Sequence, residues 1–147
     1  IFGFLVYNLG VVGEKRRVFL GDNGSSFLGF FVAWACIYLS SAENNFFNPV
    51  TALWLVFIPF LDCMNVIFQR MRRGKKLFSP DRNHLHHLLM KREINPLTVL
   101  SYIFLISLFF VFIGISLDYF GISASISLLL FLISGSIYLY FTQRLSE

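Results

Sequence analysis

Ile94–Leu117 reads INPLTVLSYIFLISLFFVFIGISL, 24 residues without Asp, Glu, Lys or Arg. Beyond one charge, Asp118, Tyr119–Gln143 (YFGISASISLLLFLISGSIYLYFTQ) runs a further 25 residues in the same way. A helix rises about 1.5 Å per residue, so about 20 residues cross a hydrocarbon core roughly 30 Å thick. Toward the N-terminus, Asn23–Ala42 and Asn44–Leu61 are equally uncharged over 20 and 18 residues. The sequence therefore predicts an all-α fold, a polytopic transmembrane helix bundle with four complete spans. These lie near 25–42, 49–68, 96–117 and 119–143. Ile1–Leu9 is apolar but too short to cross alone, and nothing in it resembles a basic leader with a cleavage site. It reads as the end of a fifth span, which makes 1–147 a single membrane domain forming the C-terminal part of a longer protein.

The charges orient this arrangement. Lys15, Arg16 and Arg17 lie between the first two apolar stretches. Arg70, Arg72, Arg73, Lys75, Lys76, Arg82, Lys91 and Arg92 lie in the central polar segment, and Arg144 follows the last span; these are all 12 Lys and Arg residues. The alternate connections, around Glu43 and Asp118, hold none. Basic residues collect in cytoplasmic loops, so polar loops at about 10–24 and 69–95 are expected on the cytoplasmic face. Topology accounts for the net charge of +4, and nucleic-acid binding is not expected. The anionic partner implied is a lipid headgroup or a charged substrate. Cys36 and Cys63 stand alone in separate spans and read as packing residues.

Four clusters on the expected cytoplasmic side carry chemistry. Gly21-Asp22-Asn23-Gly24-Ser25-Ser26 precedes an apolar helix. Glycines admit close backbone approach, a helix start favours phosphate, and Asp22 suits a hard cation; the same residues also read as a helix cap with a Gly turn. His84-Leu85-His86-His87, preceded by Ser79-Pro80-Asp81-Arg82, suits hydrogen bonds to phosphate oxygens. On a helix, His84 and His87 would share a face and His86 would point elsewhere. A zinc site would want further ligands, and a solvated basic loop is the plainer alternative. Asp62 follows Pro59 near the end of the third span, where an acid is costly and functional by default; a structural pairing with one of the arginines at 70–73 competes. Asn8 lies in the first, shorter apolar stretch, and Phe19 lies beside the Gly-rich turn.

In order, Phe4-Leu5-Val6-Tyr7-Asn8, Val18-Phe19-Leu20-Gly21-Asp22-Asn23-Gly24-Ser25, Leu28-Gly29, Pro59-x-x-Asp62 and Ser79-Pro80-Asp81-Arg82-x-His84-x-His86-His87 resemble the polyprenyl-phosphate N-acetylhexosamine-1-phosphate transferases, glycosyltransferase family 4. The resemblance covers nearly the whole chain. It implies transfer of N-acetylglucosamine 1-phosphate from UDP-GlcNAc to undecaprenyl phosphate with release of UMP, at the bacterial cytoplasmic membrane, for a cell-envelope polysaccharide. It implies Asp22 as the ligand of Mg²⁺ or Mn²⁺, and His84, His86 and His87 as catalytic residues near the sugar diphosphate. Asn8 and Phe19 would hold the uracil, with Gly21, Gly24, Ser25 and Arg82 lining the substrate. Expected partners are the UDP-sugar, the lipid carrier and the bilayer, with a homodimer compatible. The family's Asp-Asp pair and its Asn-x-x-Asp-Gly segment are absent from these residues. The histidine stretch resembles the WecA-type branch more than the MraY-type branch, whose reaction transfers phospho-MurNAc-pentapeptide. Another UDP-N-acetylhexosamine as donor, and, from a different class, an ion or solute transporter, are the alternatives.

Overall fold

The computed structural model describes residues 2–8, 13, 18, 20–72, 74, 84–91 and 95–146, which form helices and turns. They fall into two compact units, Ile1–Leu39 and Ser40–Glu147.

The first unit holds α1 (Phe2–Asn8) and α2 (Gly21–Leu39). α2 begins four residues before the expected Ser25. Gly21 opens it at φ +70°, a left-handed conformation that glycine adopts without steric cost. The early start adds Asp22 and Asn23 to the helix, which ends at Leu39, three residues before the expected Ala42. Only 13 residues, Phe27–Leu39, are then continuously free of charged and strongly polar side chains. They rise about 20 Å, short of the roughly 30 Å core, so α2 is not among the helices long and apolar enough by themselves to cross, where a complete span was expected at 25–42.

In the second unit α3 (Pro49–Leu55) and α4 (Phe57–Arg72) replace the expected straight span at 49–68. Their axes are bent by 79°. Pro59 supplies the physical reason, since it has no N–H to give the Leu55 carbonyl and its ring crowds that group. The helix restarts past the break, where Phe60 N–H donates to Val56 O at 2.9 Å. The short α5 (Leu85–Met90) lies within the segment expected as polar loop. α6 (Pro96–Tyr119) and α7 (Ala124–Ser146) match the last two expected spans. Among the described residues two helices are thus long and apolar enough to cross a membrane, or three if the bent pair counts as one. The expectation of four complete spans is corrected accordingly.

Local chemistry sets the ends of α6 and α7. Asn95 caps α6, its Oδ1 accepting from Leu97 N–H at 2.9 Å, with Pro96 in the first helical position, where proline's missing N–H costs nothing. At the other end Gly121 at φ +66° closes a Schellman turn: Ile122 N–H donates to Leu117 O and Gly121 N–H to Asp118 O, both at 2.9 Å. The Asp118 carboxylate also accepts from Asn48 N–H at 3.2 Å and from its Nδ2 at 2.6 Å. The two turns expected on one membrane face therefore meet.

α6 is apolar on all sides, and only Val99 and Gly114 of it are buried, the pattern of a helix surrounded by lipid. Lipid tails are as apolar as leucine, so packing and hydrogen bonds must hold such helices together. Trp54, Phe57, Ile58 and Leu61 from α3 and α4 form the core with Leu85 of α5 and Phe131 of α7. The Phe57 and Phe110 rings stack at 3.6 Å, and Trp54 meets Phe131 edge-on at 5.5 Å. The buried indole donates from Nε1 to Ser127 Oγ at 3.0 Å, which satisfies its one polar atom.

Candidate functional site

In the first unit, Asp22 lies exposed in the first turn of α2. It belongs to the helix and is not a residue outside capping it. Negative charge is favoured there by the helix dipole. Ser25 Oγ donates back to the Asp22 carbonyl at 3.0 Å, so this hydroxyl is occupied locally. A Cβ at Gly24 would come 2.7 Å from Leu20 Cγ, so a larger residue would have to displace that side chain. Asn8 donates from Nδ2 to Val18 O at 3.1 Å, which ties the end of α1 to the chain just before the Gly-rich turn. Phe19, Arg82 and the Ser79–Asp81 run lie outside the described residues. As for metal binding, among the described residues no group of three or more His, Cys, Asp or Glu side chains is arranged so that it could hold a metal ion. The donor at Asp22 is one exposed carboxylate. That fits a hard cation which keeps waters and substrate phosphates among its ligands, as Mg²⁺ does.

The histidines lie in the second unit. His84 does not join α5; it precedes it in extended conformation, at φ −67° and ψ 148°. The helical i, i+3 geometry therefore does not apply. Instead the three rings form a row with His86 in the middle, 5.9 Å from His84 and 4.2 Å from His87 between centroids. Loss of water around the ring lowers the His86 pKa below the usual imidazole value. Positive charge on His87 and then His84 adds to that effect, and Asp62 opposes it.

Asp62 organises this row. Its Oδ2 lies 2.9 Å from His84 Nδ1, and its Oδ1 accepts from Leu85 N–H at 2.8 Å. Tyr138, on α7, reaches the same Oδ1 with its hydroxyl at 3.5 Å. Among its described contacts Asp62 meets a histidine, the Leu85 N–H and a tyrosine; the sequence left open a functional role or a pairing with one of the arginines at 70–73. His84 keeps 36% of its side chain exposed while Asp62 keeps 16%, so the carboxylate is inside and the imidazole reaches outward. Reading the sequence missed Tyr138, because a tyrosine in an apolar span gives no sign that its hydroxyl meets an acid 76 residues away. It also missed Asn65 and Gln69, buried one turn apart on α4 and joined by a 3.2 Å hydrogen bond. Their spacing from Asp62, three and seven positions on, was the available signal.

The fold and these side chains define an α-helical membrane protein with a carboxylate-anchored histidine row and a separate exposed aspartate at a helix start. Comparison with known proteins narrows the class. Residues 1–40 match the family model described as glycosyl transferase family 4. The chain is 34% identical over 145 residues to the undecaprenyl-phosphate alpha-N-acetylglucosaminyl 1-phosphate transferase of Escherichia coli K12, covering 98% of this chain and 40% of that protein. The protein of the same name from Salmonella typhi is 33% identical over the same shares. That from Haemophilus influenzae is 42% identical over 92 residues, 62% of this chain and 26% of the relative. No solved structure matches the chain. The chain belongs to glycosyl transferase family 4, in the branch of the polyprenyl-phosphate N-acetylhexosamine-1-phosphate transferases. It spans about 40% of the length of the first of these relatives.

Proposed function

We propose that this chain is part of an enzyme that transfers N-acetylglucosamine 1-phosphate from UDP-GlcNAc to undecaprenyl phosphate. An oxygen of the lipid phosphate attacks the phosphorus next to the sugar. A new P–O bond forms, the diphosphate P–O bond breaks, and UMP leaves with that electron pair. The likeness to transferases along 98% of the chain carries this reading, and the row of imidazoles at the start of α5, with His86 exposed and its neighbours half-buried, supports it. Phosphoryl transfer asks mainly for positioning and for positive charge and hydrogen bonds on phosphate oxygens. His84, His86 and His87 supply donors of that kind, and Asn8 and Phe19 bind the uracil. Arg82, Gly21, Gly24 and Ser25 line the substrate. Asp22 holds Mg²⁺ or Mn²⁺, which when bound offsets diphosphate charge.

The test is release of UMP by the complete protein supplied with undecaprenyl phosphate. UDP-GlcNAc should be turned over, and UDP-MurNAc-pentapeptide should not. Turnover of another UDP-N-acetylhexosamine alone would replace the donor but keep the reaction. No UMP from any of them would sink the transferase reading, and flux of a solute through proteoliposomes would then favour a transporter.

The same reading places the histidine row on the cytoplasmic face of the bacterial inner membrane, because all the basic residues segregate to that side of the sequence. With Cys36 and Cys63 replaced, an impermeant thiol reagent added outside should label Asp118→Cys and spare His86→Cys. The reverse pattern would invert the topology.

A further inference from the structure

We propose that Asp62 is the positioning residue of the histidine row, fixing His84 with Nδ1 turned inward so that Nε2 is the atom presented to substrate. The inference rests on the proposed transferase reading for what Nε2 meets, but its structural half stands on geometry alone. An ionised carboxylate only accepts hydrogen bonds. Its 2.9 Å contact with His84 Nδ1 therefore requires the hydrogen on that nitrogen. In the neutral ring this leaves a lone pair on Nε2; in the charged ring it leaves an N–H there to donate to a phosphate oxygen. Either way Nδ1 is committed to the protein. The second carboxylate oxygen does a different job. It accepts from Leu85 N–H at 2.8 Å, one of the orphan donors at the start of α5. No side chain of the short helix's own N-cap residue fills that role. One carboxylate thus sets both the ring of His84 and the first turn that carries His86 and His87. Tyr138 braces it from α7 at 3.5 Å. The carboxylate at the inner end is the more enclosed group, at 16% exposure against 36% for the imidazole, as a holder and a working group should be.

Asp62→Asn separates these jobs. The amide oxygen can still accept from Leu85 N–H, so α5 keeps its anchor. The amide nitrogen then faces Nδ1 as a donor, which favours the opposite tautomer, with hydrogen on Nε2. In the complete protein with ¹⁵N-labelled histidine, His84 signals are assigned by their loss in His84→Ala. At a pH where the ring is neutral they should report hydrogen on Nδ1 in the wild type and on Nε2 in Asp62→Asn. UMP release should fall about 10–100-fold in kcat, the range found when a metal-bound histidine loses its orienting partner. KM for UDP-GlcNAc should stay within about threefold and the melting temperature should be nearly unchanged. Adding Asp62→Asn to His84→Ala should cost nothing more, since the residue it positions is gone. An unchanged tautomer in Asp62→Asn overturns the inference. So does an equal loss of rate in the His84→Ala background, or a His84→Ala protein with wild-type kcat. A complete protein that releases no UMP at all sinks the transferase reading instead and leaves the tautomer measurement to decide whether Asp62 sets His84.

Discussion

Asp22→Asn in the complete protein should reduce UMP release by at least tenfold, and on the order of a hundredfold if Asp22 is a direct metal ligand. Even outer partners of metal ligands are worth about 10–100-fold. The change is isosteric and the side chain is exposed in the first turn of α2, so the fold should survive it. What it removes is one negative charge from the proposed cation site. The competing role, a charge that stabilises a helix start, makes a different forecast. Loss of that interaction would cost about 0.3–1 kcal/mol of stability and leave turnover alone. Rate and melting temperature measured on the same purified variant separate the two. A variant that keeps more than about a tenth of the wild-type rate would reduce Asp22 to a structural residue. Raising the Mg²⁺ concentration should partly restore a variant weakened in metal binding, which a purely structural loss would not allow.

Gly114→Val should cause a large loss of stability. A Cβ at Gly114 would run into the Cβ of Trp54 and lie 2.7 Å from its Cγ. These atoms sit at the root of a fully buried indole and cannot swing aside as the tip of a flexible chain would. α3 and α6 must separate, which loosens the Phe57–Phe110 stack and the Trp54 hydrogen bond to Ser127. Overpacking of this kind costs about 1–3 kcal/mol, occasionally more, and no gain in lipid compensates it. Thermal unfolding in detergent should show Gly114→Val well below the wild type and Gly114→Ala between them. Gly29→Ala is the control: nothing lies within 4 Å of its added Cβ, so the usual helix preference for alanine, about 0.5–1 kcal/mol, should make it neutral or slightly stabilising. A Gly114→Val protein as stable as the wild type would mean that α3 and α6 do not pack as described.

Features that depend on composition along one stretch of chain were legible without coordinates. The two long uncharged stretches became α6 and α7. The single charge between them, Asp118, fell in the last turn of the first. The ordered motifs around Asp22 and His84 pointed to the family. The tertiary structure decided what depends on residues far apart. Pro59 was visible inside an apolar run, but that run's length alone predicted one straight span. Only the freedom of α3 and α4 to pack separately let the chain bend by 79° there. Charge counting likewise passed 25–42 as a complete span, although two serines open it and the helix ends at Leu39. Gly114 looked like any glycine in a membrane helix until Trp54, 60 positions away, filled the space beside it. Asp62 showed that an acid was present at a cost, but not its partner. Lone charges can be matched with many opposite charges or donors along a chain. The choice of His84 and Leu85 follows from α5 docking against the core through Leu85, a three-dimensional contact that no local periodicity encodes.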